Sequence, residues 1–289
     1  MQTRNNSARM GPPTEQEAPE ALDVSTNTTE SNSIENENSL LNFINPTEFV
    51  DLPSGGRFYP EGHPLYEQSS VEIRMMTAKE EDILTNRSLL KKGVALEKVV
   101  KSLLVNKRID PRDLFIGDKS AIIISARLSA YGSDYAVKVL CPECGDNSEI
   151  NYDLDRIITE NEDTHFSMPE GVEMNNRNNF IIKLPKTGIE AEVRLLNGHD
   201  DITKVKVNKD VGLLDSFKAF VVSLNNVTDR KMINQFLEAM PASDSRYLRE
   251  IYSEIVPNID LTHTYECGAC GHEQDMEVPL SADFFWPKS

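Results

Sequence analysis

Four cysteines in two matching C-x-x-C-G turns constrain this chain more than any other feature of its sequence. A two-residue spacer lets both thiolates of one turn face a single cation, and two such turns supply the four sulfur ligands that a structural Zn²⁺ prefers. The pattern uses every cysteine of the chain and leaves none over. The sequence therefore predicts one structural zinc ion bound by Cys141, Cys144, Cys267 and Cys270.

Strand-like segments flank both turns, so each turn is half of a zinc ribbon. Residues 135–140 and 149–152 enclose the first cysteine pair, and residues 261–266 and 275–280 enclose the second. The halves are separated by 122 residues, 145–266, whereas a zinc ribbon closes over about 15 to 20 residues. We therefore predict an α+β fold, in which a split four-cysteine zinc ribbon of two β-hairpin knuckles joins a mostly helical N-terminal part and an inserted α/β region.

Composition divides the chain into four parts. Residues 1–45 carry two arginines and seven acidic residues among Asn, Ser and Thr, which predicts a disordered acidic tail; a docking tail that folds on a partner is the alternative. Residues 46–133 are predicted to form an extended strip and a helical region. Residues 134–154 and 260–281 form the two ribbon halves, and residues 155–259 an inserted, mostly helical region with a β-hairpin.

Other uses of the cysteines fit the sequence less well. A redox C-x-x-C needs an exposed, low-pKa thiol, usually at a helix N-terminus, and neither pair precedes a helical pattern. A catalytic zinc keeps an open coordination position, which four thiolates would fill. His263 and His272 flank the second turn and are interpreted as ordinary strand residues. The chain has no nucleophile elbow, phosphate loop or H-E-x-x-H motif, so no enzyme is predicted.

The charge balance excludes further classes of protein. The chain has 30 Lys and Arg against 47 Asp and Glu, a net charge of −17. A non-specific nucleic-acid binder needs surplus cations to displace counterions from phosphates. No apolar stretch is long enough to span a membrane, and no apolar signal-peptide core opens the chain. We expect a cytoplasmic protein without nucleic-acid or membrane partners.

Local patterns predict the elements of the N-terminal part. Residues 71–75 alternate as a short strand. Thr77 and Glu80 form a capping box, which predicts a helix from Ala78 to Gly93. Apolar residues at helical spacing predict a second helix over residues 96–104. Asp110 and Pro111 are predicted to begin a third helix, interrupted near Gly117 and ending at Gly132.

The insertion mixes both kinds of element. Residues 180–184 and 191–195 predict a β-hairpin across a Pro-Lys-Thr-Gly turn. His199, Asp200 and Asp201 are interpreted as the start of a short helix rather than as a metal site. Residues 213–224 and 231–240 are predicted to be helical, and Ser243 or Asp244 to cap a further helix that ends before Pro257.

Several of these motifs resemble a known phage family. The strip Leu-Pro-Ser-Gly-Gly-Arg-Phe-Tyr-Pro at residues 52–60, the capping-box helix at residues 76–84 and the Cys-Pro-Glu-Cys-Gly turn occur in fixed order. They are similar to the T4-type contractile-tail phage baseplate hub assembly proteins. The resemblance covers residues 49–150 and, more loosely, the second turn. It implies a non-enzymatic role in building the tail baseplate in the host cytoplasm, with other phage baseplate or hub proteins as partners.

Three functional hypotheses stay open from the sequence. The leading one is an assembly factor for the baseplate hub. The second is a permanent structural component of the baseplate in the virion. The third, independent of the resemblance, is a zinc-ribbon regulator that binds nucleic acid, which would require a basic face.

The strip around residues 49–66 has two interpretations. It is rich in aromatic residues and interrupted by prolines and glycines, so it must pack as an extended segment. It either covers the apolar face of its own helix at residues 96–104, which we favour, or presents Arg57, Phe58 and Tyr59 as an anchor for a baseplate protein.

Overall fold

A pair of antiparallel strands begins the part of the chain that the structure describes, β1 (Thr47–Asp51) and β2 (Ser70–Arg74). The computed structural model describes residues 46–156, 168–200, 212–278, 280 and 282–285. The predicted disordered tail, residues 1–45, lies outside the described residues. Val71 and Ile73 of β2 are buried and their neighbours are half-exposed, which is the alternation that predicted this strand.

Four helices follow the hairpin: α1 (Ala78–Thr85), α2 (Arg87–Lys91), α3 (Ala95–Leu103) and α4 (Ile116–Tyr131). The capping box at the start of α1 is confirmed, since the Thr77 N–H donates to a Glu80 carboxylate oxygen at 3.0 Å. The prediction of one helix as far as Gly93 is wrong. Asn86 ends α1, and its side chain caps α2 by accepting the Ser88 N–H at 3.0 Å.

Helix α4 begins later than predicted and ends, as predicted, at Gly132, which is its C-cap. The Asp110 carboxylate accepts the Arg112 N–H at 3.0 Å in a separate turn, so it does not cap the helix. The helix is continuous at Gly117, where a break was predicted. A Cβ atom at this position would lie 2.0 Å from the Pro257 carbonyl oxygen. Glycine therefore permits close packing against another segment rather than a break.

The insertion contains a four-stranded antiparallel sheet whose strands follow chain order. The strands are β5 (Val172–Met174), β6 (Phe180–Lys183), β7 (Glu190–Val193) and β8 (Val221–Leu224). The predicted hairpin is confirmed as β6 and β7. Residues 221–224 were predicted to be helical, but they pair with β7 and bury Val221 in the core. Two adjacent β-branched valines favour this extended conformation.

Three helices cover the sheet: α5 (Leu213–Phe220), α6 (Arg230–Ala239) and α7 (Ala242–Ile255). The predicted cap of α7 is wrong, because Pro241 occupies the N-cap position. Asp244 instead lies fully buried and accepts the N–H groups of Lys186 and Thr187 at 2.7 and 3.0 Å. It closes the β6–β7 turn by binding a distant part of the chain.

Two further hairpins enclose the cysteine turns, β3 (Asp134–Leu140) with β4 (Asn147–Asp153) and β9 (Thr262–Glu266) with β10 (Glu273–Glu277). A 3₁₀ helix, Ala282–Phe285, follows β10. The buried Arg127 of α4 donates to the carbonyl oxygens of Phe284, Gly132 and Asp134 at 3.1, 2.6 and 2.9 Å. One guanidinium therefore links the C-terminal turn to the α4–β3 junction.

Two large apolar clusters form the core. The first contains the inner faces of β2, α3 and α4, including the predicted buried residues Val99, Val100 and Leu103. The second fills the space between the insertion sheet and helices α5 to α7. Mixed helices and antiparallel sheets agree with the predicted α+β class.

Candidate metal centre

Both cysteine turns have the same backbone design. In the first, the Cys141 N–H donates to the Asp146 carbonyl at 2.8 Å, and the Gly145 N–H donates to the Cys141 carbonyl at 3.0 Å. In the second, Cys267 and Gly271 make the equivalent bonds at 2.9 and 2.8 Å. Gly145 and Gly271 have φ angles of 72° and 70°, a region that glycine enters without steric cost. The C-x-x-C-G pattern therefore builds two matching tight turns.

The fold brings the two turns together. All four sulfur atoms lie within 4.8 Å of one another. Cys141 Sγ is 3.7 Å from Cys270 Sγ, and Cys144 Sγ is 3.6 Å from Cys267 Sγ, so both close pairs join one hairpin to the other. Zn–S bonds of about 2.3 Å in a tetrahedron place sulfur atoms about 3.8 Å apart. The sulfur separations therefore fit one tetrahedral ion.

The cluster is half-covered. Cys141 and Cys267 are each 1% exposed, whereas Cys144 and Cys270 lie at the surface. Val139 and Tyr265 pack with the two buried cysteines in a small apolar cluster of their own. The site is thus open on one side to a metal ion in solution and supported on the other by side chains of both hairpins.

Local hydrogen bonds favour a thiolate at Cys267. The Tyr265 hydroxyl, followed by the N–H groups of Cys270 and Ala269, lowers the pKa of the Cys267 thiol to about 6. The His272 N–H also favours the thiolate of Cys270. The neighbouring sulfur atoms, led by that of Cys144, outweigh this effect and raise the pKa of Cys270 to about 12. Crowded sulfurs that share protons in this way gain from a cation that replaces those protons.

The donor set fits a structural zinc ion and leaves no ligand position to a histidine. His272 takes part through its backbone, whose carbonyl accepts the Cys267 N–H, and His263 lies on β9. Within the described part of the chain, the four cysteines are the only His, Cys, Asp or Glu side chains grouped closely enough for three or more to bind one ion. Four thiolates complete the coordination of zinc.

Comparison with family models gives a match over residues 45–286 to the family described as T4 bacteriophage base plate protein. The chain belongs to this family. The match covers both hairpins of the metal centre and the whole insertion, including residues 155–260, where the sequence motifs gave no resemblance. Searches of curated proteins and of solved structures give no match. No helix in the described ranges of this baseplate protein is both long and apolar enough to cross a membrane.

The second predicted site of this baseplate protein, the aromatic strip at residues 57–59, is mostly buried. Phe58 and Tyr59 are 5% and 1% exposed, and of the three predicted anchor residues Arg57 alone lies outside. Phe58 packs against Phe180 in the insertion core, with 5.5 Å between ring centroids, while Tyr59 belongs to the first core. The aromatic pair of the strip therefore joins the two cores: Phe58 and Tyr59 make internal contacts, and the predicted anchor of Arg57, Phe58 and Tyr59 is corrected for these two residues.

Asp200, which follows β7, has a structural role. Asp200 lies in a 3₁₀ turn, Gly198–Asp200, and accepts two hydrogen bonds from the Arg194 guanidinium. His199 lies 3.0 Å from a carboxylate oxygen of Asp113. Asp201 lies outside the described residues. This agrees with the interpretation of the group as the start of a short helical turn.

Two supporting residues of the metal centre escaped the sequence analysis. Tyr265 lies in β9 and precedes Cys267 by two positions, and both side chains pack in the same small apolar cluster. Its hydroxyl is 3.2 Å from Ser148 Oγ on the opposite hairpin. The i, i+2 spacing could have indicated Tyr265, but the contact with Ser148 depends on the association of two hairpins and has no local signal.

Proposed function

We propose that this baseplate-family protein is a non-enzymatic assembly factor for the baseplate hub, held in shape by one structural Zn²⁺ ion. The family match over residues 45–286 carries the proposal. Its partners are other baseplate or hub proteins, and it acts in the host cytoplasm during tail assembly. The net charge of −17 disfavours nucleic acid as a partner.

The zinc part of the proposal is supported by the shape of the sulfur cluster. Each hairpin provides two ligands, so the ion would cross-link segments that are more than 120 positions apart. Linking distant segments removes conformations from the unfolded chain, and the binding free energy adds to folding stability. A closed shell of four thiolates offers no position for a substrate, which favours a structural rather than a catalytic ion.

Metal analysis tests the zinc part. Freshly reduced protein purified without chelators is expected to contain about one zinc ion per chain. Cys144→Ser removes one ligand and is expected to lose most of the zinc and to lower the melting temperature. Glu143→Ser is the matched control, because Glu143 lies exposed in the same turn and binds no metal. Wild-type protein without metal would refute this part.

The assembly-factor role is tested by where the protein is found. Peptides of the protein are expected in infected cells and in partially assembled baseplates, and to be absent from purified virions when both are analysed by mass spectrometry. Peptides in virions at the level of other baseplate proteins would instead support a permanent structural component. A phage that lacks the gene for this protein should produce no complete tails under either role.

A further inference from the structure

A basic groove lies between helices α1, α2 and α3. It is open to solvent and has a volume of about 580 Å³. Among the residues that the structure describes, five cationic side chains and no acidic one line it. They are Arg74, Lys79, Lys98, Lys101 and Lys107. We call these five residues, with Ile83 and Leu89 as the apolar lining, the basic groove.

The lysines at its rim are available to a ligand. Lys79, Lys98 and Lys101 are exposed, and none forms a salt bridge with any residue that the structure describes. Arg74 is held in place by the Ser102 carbonyl at 2.7 Å and by Glu80 at 3.4 Å. Burial, followed by the charges of Arg74 and Lys79, lowers the pKa of Lys107. The groove therefore has a surplus of positive charge.

Three carboxylates near the groove have partners other than the exposed lysines. Glu80 is buried beneath the groove, where Ser102 and Thr77 donate hydrogen bonds to it. Glu81 accepts the Tyr131 hydroxyl of α4 at 2.7 Å. Glu97 lies 3.8 Å from the Arg112 guanidinium. Glu80, Glu81 and Glu97 therefore each have a partner other than Lys79, Lys98 and Lys101.

The groove contrasts with the rest of the protein. Residues 74–112 contain ten Lys and Arg against five Asp and Glu, although the whole chain has a net charge of −17. Opposite charges so separated give directional attraction and suppress binding of basic partners. No Lys or Arg run in the sequence is longer than two, and the fold brings five of these separated cations to one groove.

We propose that the basic groove is a docking site for an acidic segment of a partner protein, with an apolar side chain between its carboxylates. The three free lysines would pair with the carboxylates, and Ile83 and Leu89 would contact the apolar side chain. A nucleic acid fits less well, because the net charge of the chain, −17, repels a long run of phosphates. That the partner is a baseplate protein rests on the proposed function; that it is acidic rests on the groove alone.

Peptide binding to the full-length protein tests the site. The acidic probe is a fluorescent twelve-residue peptide that contains Asp, Glu and two Leu residues. The neutral control peptide has Asn in place of each Asp and Gln in place of each Glu. Fluorescence anisotropy is expected to detect binding of the acidic probe only, weakening as salt screens the charges. In the double variant Lys98→Glu with Lys101→Glu, the dissociation constant for the acidic probe should rise at least about tenfold.

The matched control changes the same charge elsewhere. Lys183→Glu with Lys231→Glu alters two exposed lysines of the insertion, and its affinity for the probe should stay within about twofold of wild type. Melting curves check that both variants are folded. If the double Glu variant unfolds, the double variant Lys98→Gln with Lys101→Gln is used in its place. A clear loss of affinity for the acidic probe is still expected.

Three results would overturn the proposal. They are no binding of the acidic probe, equal binding by the groove variant, and tighter binding of a single-stranded oligonucleotide that the groove variant abolishes. In infected cells, a photo-reactive residue in place of the exposed Leu90 should cross-link to an acidic segment. Cross-linking to an acidic segment of a protein outside the baseplate would refute the proposed function but support the docking role of the basic groove. Binding of a baseplate protein through another face would support the proposed function but refute the docking role.

Discussion

At the scale of single residues, a buried carboxylate organises the glycine-rich strip. Asp118, at the start of α4, is fully buried and accepts the Ser54 N–H and hydroxyl at 2.9 and 2.6 Å. The Tyr59 hydroxyl donates to the same carboxylate at 2.7 Å and accepts the Phe115 N–H at 3.2 Å. Burial raises the pKa of Asp118 despite these donors. The strip is therefore fixed by a polar network inside the protein.

Tyr59→Phe tests this network with little change in volume. It removes one donor from Asp118 and leaves the Phe115 N–H without its acceptor. We expect the free energy of unfolding to fall by about 1–3 kcal/mol, measured by urea denaturation. Arg57→Ala, two positions away and exposed, should change it by less than about 0.5 kcal/mol. Equal effects of the two changes would contradict the buried network.

At the scale of elements, the packing of α4 depends on a missing side chain. Gly117 lies in the first turn of the helix against residues 257 and 258, which follow α7. An added Cβ atom would meet the Pro257 carbonyl oxygen at 2.0 Å and Asn258 Cα at 2.9 Å. Both contacts involve backbone, which cannot move as a flexible side chain can. The glycine therefore sets the distance between α4 and the end of the insertion.

Gly117→Ala should destabilise the protein, although alanine is favoured over glycine in a helix by about 1 kcal/mol. We expect a net loss of about 1–3 kcal/mol in unfolding free energy, because the added methyl group forces the two segments apart. Ser120→Ala in the same helix is the control and should be neutral or slightly stabilising. Stabilisation by Gly117→Ala would show that the segments separate easily.

Elements were predictable from the sequence where the signal lies within a few residues. They were not predictable where contact with a distant segment of the same chain determines the structure. The α1 capping box, the β6–β7 hairpin and both cysteine hairpins follow from patterns within a few residues. Residues 221–224 became a strand because β7 offered an unpaired edge. Asp244 resembles a helix cap in the sequence but binds a turn 57 and 58 positions away. The cations of the basic groove are spread over 34 positions, 74–107, so the sequence shows a local excess of Lys and Arg but not which of them share a groove.

At the scale of the whole molecule, buried carboxylates make the fold sensitive to acid. Burial alone would raise the pKa values of Glu80, Glu192 and Asp244, but hydrogen bonds from neighbouring side chains and N–H groups outweigh it and lower all three. A carboxylate whose pKa is lower in the folded state stabilises the protein above the unfolded pKa of about 4. Its contribution is lost as the pH falls through the folded value.

The melting temperature should therefore stay nearly constant from about pH 7 to 5 and fall steeply below about pH 4. Asp118 has the opposite sign, since its raised pKa makes protonation favourable in the folded state. A rise in stability on acidification would mean that Asp118 dominates and would contradict the prediction. Glu192→Gln should make the acid slope shallower. If Cys144→Ser shows the same fall of melting temperature with acid as the wild type, the fall is due to the carboxylates and not to the cysteine cluster.

The wide separation of the cysteine turns has a consequence for synthesis on the ribosome. Cys141 and Cys144 emerge first, and 122 residues pass before Cys267 follows. At about 5–20 residues per second, the first turn waits about 6–25 s for its partner. A chain cut short in the insertion cannot complete the sulfur cluster, nor form the bond between Arg127 and the Phe284 carbonyl. Association of the two cysteine hairpins thus distinguishes finished chains from unfinished ones.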